Sequence, residues 1–142
     1  MTDADQIITR LNEHAPTFIK LLGGKVVAIQ MDRPEAVFEF HVPLDYCHSG
    51  DVVQGGFVTA MLDAAMSHAV FGTDQSISGV ATLEITTRFE GVTRGDQPLT
   101  VTGRVRKKTH RIAFLEADIQ TSSGEVIVTA QSVAKLSRTA SQ

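Results

Sequence analysis

The chain has 142 residues, of which 42% are hydrophobic and 20% are charged, and its formal net charge is −3. This length suits a single domain, and the negative charge argues against a general affinity for nucleic acid. No apolar run is long enough to span a membrane, and the acidic amino terminus is unlike a secretory signal. The single cysteine excludes an internal disulfide and fits a reducing compartment, so we expect a cytoplasmic protein.

The amino-terminal segment is predicted to be a helix over residues 3–22, because apolar side chains recur on one face at helical spacing. Gly23 and Gly24 end this pattern, and Pro16 is expected to divide the helix in two. Six later runs, rich in β-branched and alternating residues, predict strands. They cover residues 25–32, 36–44, 80–89, 99–107, 112–121 and 126–136.

A second helix, of roughly 16 residues, is predicted to begin at Gly55–Gly56 and end near Gly72. Between Phe57 and Phe71 its only polar side chains are Thr59, Asp63, Ser67 and His68. A helix that is apolar nearly all round is buried, so the sheet must wrap around it. The last four strands have connections too short for helical crossovers, which predicts antiparallel pairing and an α+β fold.

The stretch GDVVQGGFVTAMLDAAMSHA (residues 50–69), supported by GVATLEITTRF (residues 79–89), resembles hotdog-fold acyl-CoA thioesterases. The similar branch contains phenylacetate-pathway and 4-hydroxybenzoyl-CoA thioesterases. The resemblance implies one hotdog domain over residues 1–142, with its core at 25–137, that hydrolyses an aryl or medium-chain acyl-CoA to a free acid and CoA. It implies no metal or redox cofactor.

The resemblance also implies a homodimer whose two sheets join edge to edge, and often a dimer of dimers, that is, a homotetramer. In that arrangement Asp63 faces the Gly55 loop of the neighbouring subunit, so that one chain lacks a complete site.

Asp63 is the candidate catalytic residue. A carboxylate in an apolar helix costs folding free energy unless it has partners or a task. Thr59 and Ser67 lie four residues away on the same face, so their hydroxyls could simply satisfy it. The resemblance implies instead that Asp63 attacks the thioester or activates a water, as nucleophile or general base, with Ser67 supporting it.

Gly55 is the candidate oxyanion donor, because the first turn of a helix has unpaired N–H groups and the positive end of the helix dipole. A Gly-Gly pair also suits a tight turn into a helix, and Gly56 is expected to serve close packing. The family usually has His where this chain has Gln54, and Asn or Gln where it has His48. Gln54 retains a donor and an acceptor but cannot titrate. The site is therefore either functional with altered polar support or a weakened thioesterase, and His48 otherwise reads as a surface loop residue.

Substrate-binding candidates lie on later strands. Thr82 would belong to the site if the strand register turns it inward. The stretch GRVRKKTHR (residues 103–111) has a cluster of basic side chains. Such clusters commonly form solvated hairpins, but Arg106, Lys107 and Lys108 could instead hold the phosphates of coenzyme A.

Two other functions fit the same fold. A dehydratase or hydratase would need a His and an acid in a local pattern that residues 48–63 do not show. A non-catalytic acyl-CoA binder or sensor is favoured by Gln54 in place of His. The histidines show no metal-ligand spacing and there is one cysteine, so no metal site is expected.

Overall fold

The computed structural model describes residues 2–139, which form an antiparallel sheet packed against one long helix. The elements in chain order are α1 (Asp3–Glu13), α2 (Thr17–Leu21), β1 (Gly24–Gln30), β2 (Glu35–His41), a 3₁₀ turn (Leu44–Tyr46), β3 (Cys47–His48), β4 (Val52–Val53), α3 (Gly55–Phe71), β5 (Ile77–Phe89), β6 (Pro98–Lys108), β7 (Ile112–Thr121) and β8 (Val126–Arg138). The predicted α+β class and antiparallel pairing are confirmed.

The amino-terminal helix is divided at Pro16, as predicted. Thr2 caps α1 in a capping box, in which its hydroxyl accepts from the Asp5 N–H and the Asp5 carboxylate accepts from the Thr2 N–H. Pro16 stands at the start of α2, since its ring removes the N–H that a continuing helix would need. The Asn12 amide bonds both backbone groups of Val26 at 2.8 and 2.9 Å, which fastens α1 to β1.

The sheet has the strand order β1-β2-β6-β7-β8-β5. On β7 every second side chain is buried beneath α3, which is the alternation expected of a sheet with one covered face. The edge strand β5 has 13 residues and pairs with β8 alone in the described part of the chain. Its free backbone edge is a surface on which another strand can pair, and Leu83 and Phe89 are exposed apolar side chains of this strand.

The backbone of α3 lies directly on β6 at Gly103. A Cβ atom on Gly103 would lie 2.2 Å from the carbonyl oxygen of Ala65 and 2.6 Å from the backbone nitrogen of Met66. The sheet curls around this side of α3, where Met61, Leu62 and Met66 are fully buried. The opposite face of the helix stays accessible, and Asp63 is on it, half-buried.

His68 belongs to the core. It is buried in α3, edge-on to the rings of Phe38 and Phe71, and its Nδ1 lies 2.8 Å from the Ala64 carbonyl oxygen. Burial lowers the pKa of His68 because the charged imidazolium would lose its hydration. Within residues 2–139 no helix is both long enough and apolar enough to cross a lipid bilayer.

Candidate active site

The start of α3 is held by backbone bonds to the loops around it. The Gln54 N–H donates to the Tyr46 carbonyl at 3.2 Å, and the Val53 N–H donates to the Thr93 carbonyl at 2.9 Å. Tyr46 ends the 3₁₀ turn and Val53 ends the β3–β4 hairpin, so the two bonds anchor both sides of the helix entrance. Their effect is to set the direction in which the first N–H groups of α3 point.

One N–H of the first helical turn has no acceptor. Gln54 Oε1 accepts from the Gly56 N–H at 2.6 Å, and the Gln54 carbonyl accepts from the N–H groups of Phe57 and Val58 at 2.9 and 3.2 Å. No acceptor for the Gly55 N–H occurs among residues 2–139. A free N–H at the positive end of a helix is a donor for a negatively polarised oxygen.

The two glycines have different spatial roles. A Cβ on Gly56 would come within 2.9 Å of Gln54 Oε1, so any side chain there would displace the capping amide. Gly56 therefore packs closely against the Gln54 side chain, and close packing is the role expected for it from the sequence. A Cβ on Gly55 would meet only the ring of Phe89, at an ordinary 3.5 Å. The missing side chain of Gly55 therefore points toward β5.

Asp63 lies where α3 borders the edge strand. The Thr82 hydroxyl donates to Asp63 Oδ1 at 2.7 Å. The register between β5 and β8 shifts between Thr82 and Glu84, so Leu83 is the extra residue of a β-bulge. Bulges re-aim neighbouring side chains and recur beside active sites. Thr82 is thus brought into the site, as a partner of the candidate catalytic acid.

The two other hydroxyls on this face of α3, those of Thr59 and Ser67, do not bond Asp63. Thr59 donates to Thr87 on β5 at 3.1 Å. Between residues 2 and 139 no hydrogen bond joins Ser67 to Asp63, although both lie on the accessible face of α3. The edge strand β5, rather than α3 itself, supplies the hydrogen-bond partners of Thr59 and Asp63.

His48 is exposed on the β3–β4 hairpin, and its Nδ1 lies 3.1 Å from the Ser49 hydroxyl. In the described residues it makes no hydrogen bond to Gln54 or Asp63. The hairpin precedes α3 directly, so His48 is close to the helix entrance along the chain. It does not contact the predicted catalytic groups of the same chain.

The basic cluster lies toward the other end of α3. Lys108 Nζ is 2.7 Å from Asp74 Oδ2, just after the carboxyl end of the helix. Bonds from Lys108 and then Ser76 hold the pKa of Asp74 well below its ordinary value. Arg106 is 3.9 Å from Glu116, and Lys107 is exposed. A helix of 17 residues is about 25 Å long, so one chain does not bring Lys108 near Gly55.

Gly55 and Asp63 are also separated within one chain. They are eight positions apart on α3 (63 − 55 = 8), which corresponds to about 12 Å along the helix axis. Reacting groups must approach to about 3–3.5 Å. A carbonyl held on the Gly55 N–H is therefore out of reach of Asp63 from the same chain.

Two neighbours of the site were not predicted from the sequence. They are Tyr46, whose carbonyl holds the Gln54 N–H, and Phe89, whose ring lies beside Gly55. Both contacts cross loops or strands, and no spacing in the sequence signals them.

A long central helix packed against an antiparallel sheet is the hotdog fold, which thioester hydrolases share. The family model of the Thioesterase superfamily matches residues 50–128, more than half of the chain. The chain belongs to this superfamily and is a thioester hydrolase. A comparison with curated protein sequences found no match.

Solved structures show the same fold. A phenylacetic acid degradation-related protein of Ralstonia eutropha JMP134 has a TM-score of 0.81 at 18% identity, over 91% of this chain and 98% of that one. The E. coli PaaI protein from the phenylacetic acid degradation operon has a TM-score of 0.81 at 18% identity, over 99% and 96%. A Streptococcus pneumoniae TIGR4 thioesterase protein, solved with coenzyme A, has a TM-score of 0.76 at 14% identity, over 87% and 93%.

Proposed function

We propose that this protein hydrolyses an aryl or medium-chain acyl-CoA to a free acid and CoA, with Asp63 as nucleophile or general base. The observation that carries the proposal is the free Gly55 N–H at the positive end of the helix on which Asp63 stands. The choice of CoA is supported by the similar S. pneumoniae protein, whose structure contains coenzyme A. The choice of an aryl group is supported by the two similar proteins related to phenylacetic acid degradation.

The oxyanion of the tetrahedral intermediate would accept a hydrogen bond from the Gly55 N–H. Gln54 supplies a second donor beside it. Its Oε1 must face the Gly56 N–H, because an N–H donates only to the amide oxygen, and this orientation leaves the Nε2 hydrogens free. An amide can therefore support the oxyanion without titrating, which accounts for Gln54 where the family usually has His.

The complete site requires a second copy of the chain. Since Asp63 and Gly55 of one chain lie about 12 Å apart along α3, the carbonyl held on one protomer must meet the acid of another. The open edge of β5 is where two sheets would join, and Asp63, Thr82 and Phe89 lie along that border. The homodimer is therefore part of the proposal, and the dimer of dimers remains a prediction.

The remaining groups have supporting roles. Thr82 positions Asp63 through its hydrogen bond. His48 and Ser67 would support the attacking water from the hairpin and from the next turn of α3. Arg106 and Lys107 would bind the phosphates of CoA, whereas Lys108 is engaged by Asp74.

The test is release of free CoA from a panel of aryl and aliphatic acyl-CoAs. Asp63→Asn should lower kcat at least about a hundredfold, because a positioned acid–base group contributes on that order or more. Asp32→Asn, at an exposed aspartate in the turn after β1, is the control and should leave kcat unchanged.

Turnover that survives Asp63→Asn would refute the catalytic role of the carboxylate. Saturable acyl-CoA binding without turnover on any substrate would favour the non-catalytic binder or sensor.

A further inference from the structure

An apolar pocket of about 260 Å³ opens between α2 and the first two turns of α3. Its walls are entirely apolar, with no polar or charged surface. They are formed by Phe18, Leu21, Leu22, Tyr46, Phe57 and Ala60.

The pocket adjoins the proposed carbonyl site. Phe57 is two residues after Gly55, and its ring packs edge-on against Tyr46 with the centroids 5.1 Å apart. The Tyr46 carbonyl in turn holds the Gln54 N–H. The pocket and the free Gly55 N–H therefore lie at the same end of α3.

The outer wall of the pocket leaves large apolar side chains exposed to water. Leu21 is 53% exposed, Phe18 44% and Phe57 38%. An apolar ligand between them would remove this surface from water, which is favourable in proportion to the area covered. A carboxylate or other charged group there would lose its hydration and gain no partner.

Four of the six lining residues lie outside the part of the chain that the family model matches. Phe18, Leu21, Leu22 and Tyr46 all precede residue 50, where the match to the family model begins.

From these observations we infer that the pocket is the acyl subsite, and that it selects an uncharged apolar acyl group of limited size. Whole small-molecule ligands occupy pockets of about 300–1,000 Å³, so 260 Å³ suits one part of the substrate, such as a phenyl ring or a short alkyl chain. The inference rests on the proposed acyl-CoA hydrolysis, whose site it extends.

Binding of non-hydrolysable thioethers tests the pocket independently of catalysis. Isothermal titration should show that S-hexyl-CoA binds tighter than S-ethyl-CoA by tenfold or more, since each buried methylene contributes up to about fourfold. An S-alkyl-CoA ending in a carboxylate should bind no better than S-ethyl-CoA. Equal affinity for the hexyl and ethyl compounds would overturn the inference, and so would tight binding of the carboxylate.

A substitution that fills the pocket tests whether the acyl group binds there. Ala60→Leu keeps a strong helix former on α3 and should abolish the preference for S-hexyl-CoA while leaving S-ethyl-CoA binding within about twofold. Met31→Ala, which truncates an exposed apolar residue outside the pocket, is the matched control and should keep the preference. If Ala60→Leu weakens both compounds equally, the acyl group binds elsewhere.

The binding test of the pocket can fail or succeed independently of the CoA-release test of hydrolysis. Loss of CoA release in every assay would refute the proposed function, yet a hexyl preference removed by Ala60→Leu would still place the acyl group in this pocket.

Discussion

Gly55 occupies the first position of α3, where a backbone N–H is not used by the helix. Proline is favoured at this position because it lacks only that unused N–H. The preceding residue, Gln54, has φ −59° and ψ 134°, in the region that a residue before proline adopts. A proline at position 55 would therefore remove one hydrogen-bond donor and leave the helix start intact.

We expect Gly55→Pro to lower kcat by about a hundredfold to a thousandfold, the usual effect of deleting an oxyanion donor. The thermal midpoint should stay the same or rise, since a compatible proline stabilises the fold by up to about 1 kcal/mol. The measurements are CoA-release kinetics and thermal unfolding of the same preparation.

Gly55→Ala is the matched control, because it keeps the N–H and its methyl group makes only ordinary contact with Phe89. A large loss in both variants would show that the space beside Gly55 matters and that its N–H does not.

At the scale of elements, the packing of α3 on β6 depends on one glycine. Gly103 allows the helix backbone to touch the strand, and a methyl group there would overlap the Ala65 carbonyl oxygen and the Met66 nitrogen. Neither atom is the end of a flexible side chain. The helix can relieve the overlap only by moving away from the sheet, which would also loosen the core around Met61 and Leu62.

Gly103→Ala should destabilise the protein by about 3 kcal/mol, the upper part of the range for overpacked cores. Gly79→Ala is the comparison, because a Cβ there lies an ordinary 3.4 Å from Ser137 on the neighbouring strand. Chemical denaturation should show unchanged or slightly raised stability for Gly79→Ala. Equal stability of the two variants would mean that the helix does not lie this close to β6.

For the whole molecule, the decisive feature is that one chain separates the proposed oxyanion donor, Gly55, from the proposed catalytic acid, Asp63. Gly55 and Asp63 stand on the same helix, and the carbonyl that one holds is beyond the reach of the other. A dimer formed across the β5 edge would contain two sites, each with Gly55 of one protomer and Asp63 of its partner.

Mixing two inactive variants tests this arrangement. In a dimer of one Asp63→Asn chain and one Gly55→Pro chain, one site carries both changes and the other carries neither. Co-refolding equal amounts should restore about a quarter of wild-type activity, because half of the dimers are mixed and each has one intact site. Each variant refolded alone is the control. If mixing restores no activity, then Gly55 and Asp63 of one site come from the same chain, or the two substitutions abolish activity by disrupting folding.

The helices and the six strands of the main sheet were predictable because their signals are local. Helical spacing located α3, and β-branched runs located these six strands to within a few residues, whereas β3 and β4, of two residues each, were not predicted. The break at Pro16 followed from the missing N–H of proline. Asp63 and Gly55 were singled out through the resemblance of residues 50–69 to a known family, and their roles stay predictions.

By itself, the sequence determined the order of the helices and of the six strands in the main sheet, the α+β class and the likeness to thioesterases, since these depend on patterns within short segments. Only the tertiary structure decided which groups meet. Thr82 reaches Asp63 because a bulge re-aims β5, and Lys108 is engaged by Asp74 because β6 ends near the carboxyl end of α3. The apolar pocket exists because α2 and the 3₁₀ turn lie close to the start of α3. Such contacts join residues far apart in the chain, and they depend on strand register and chain direction, which no local pattern specifies.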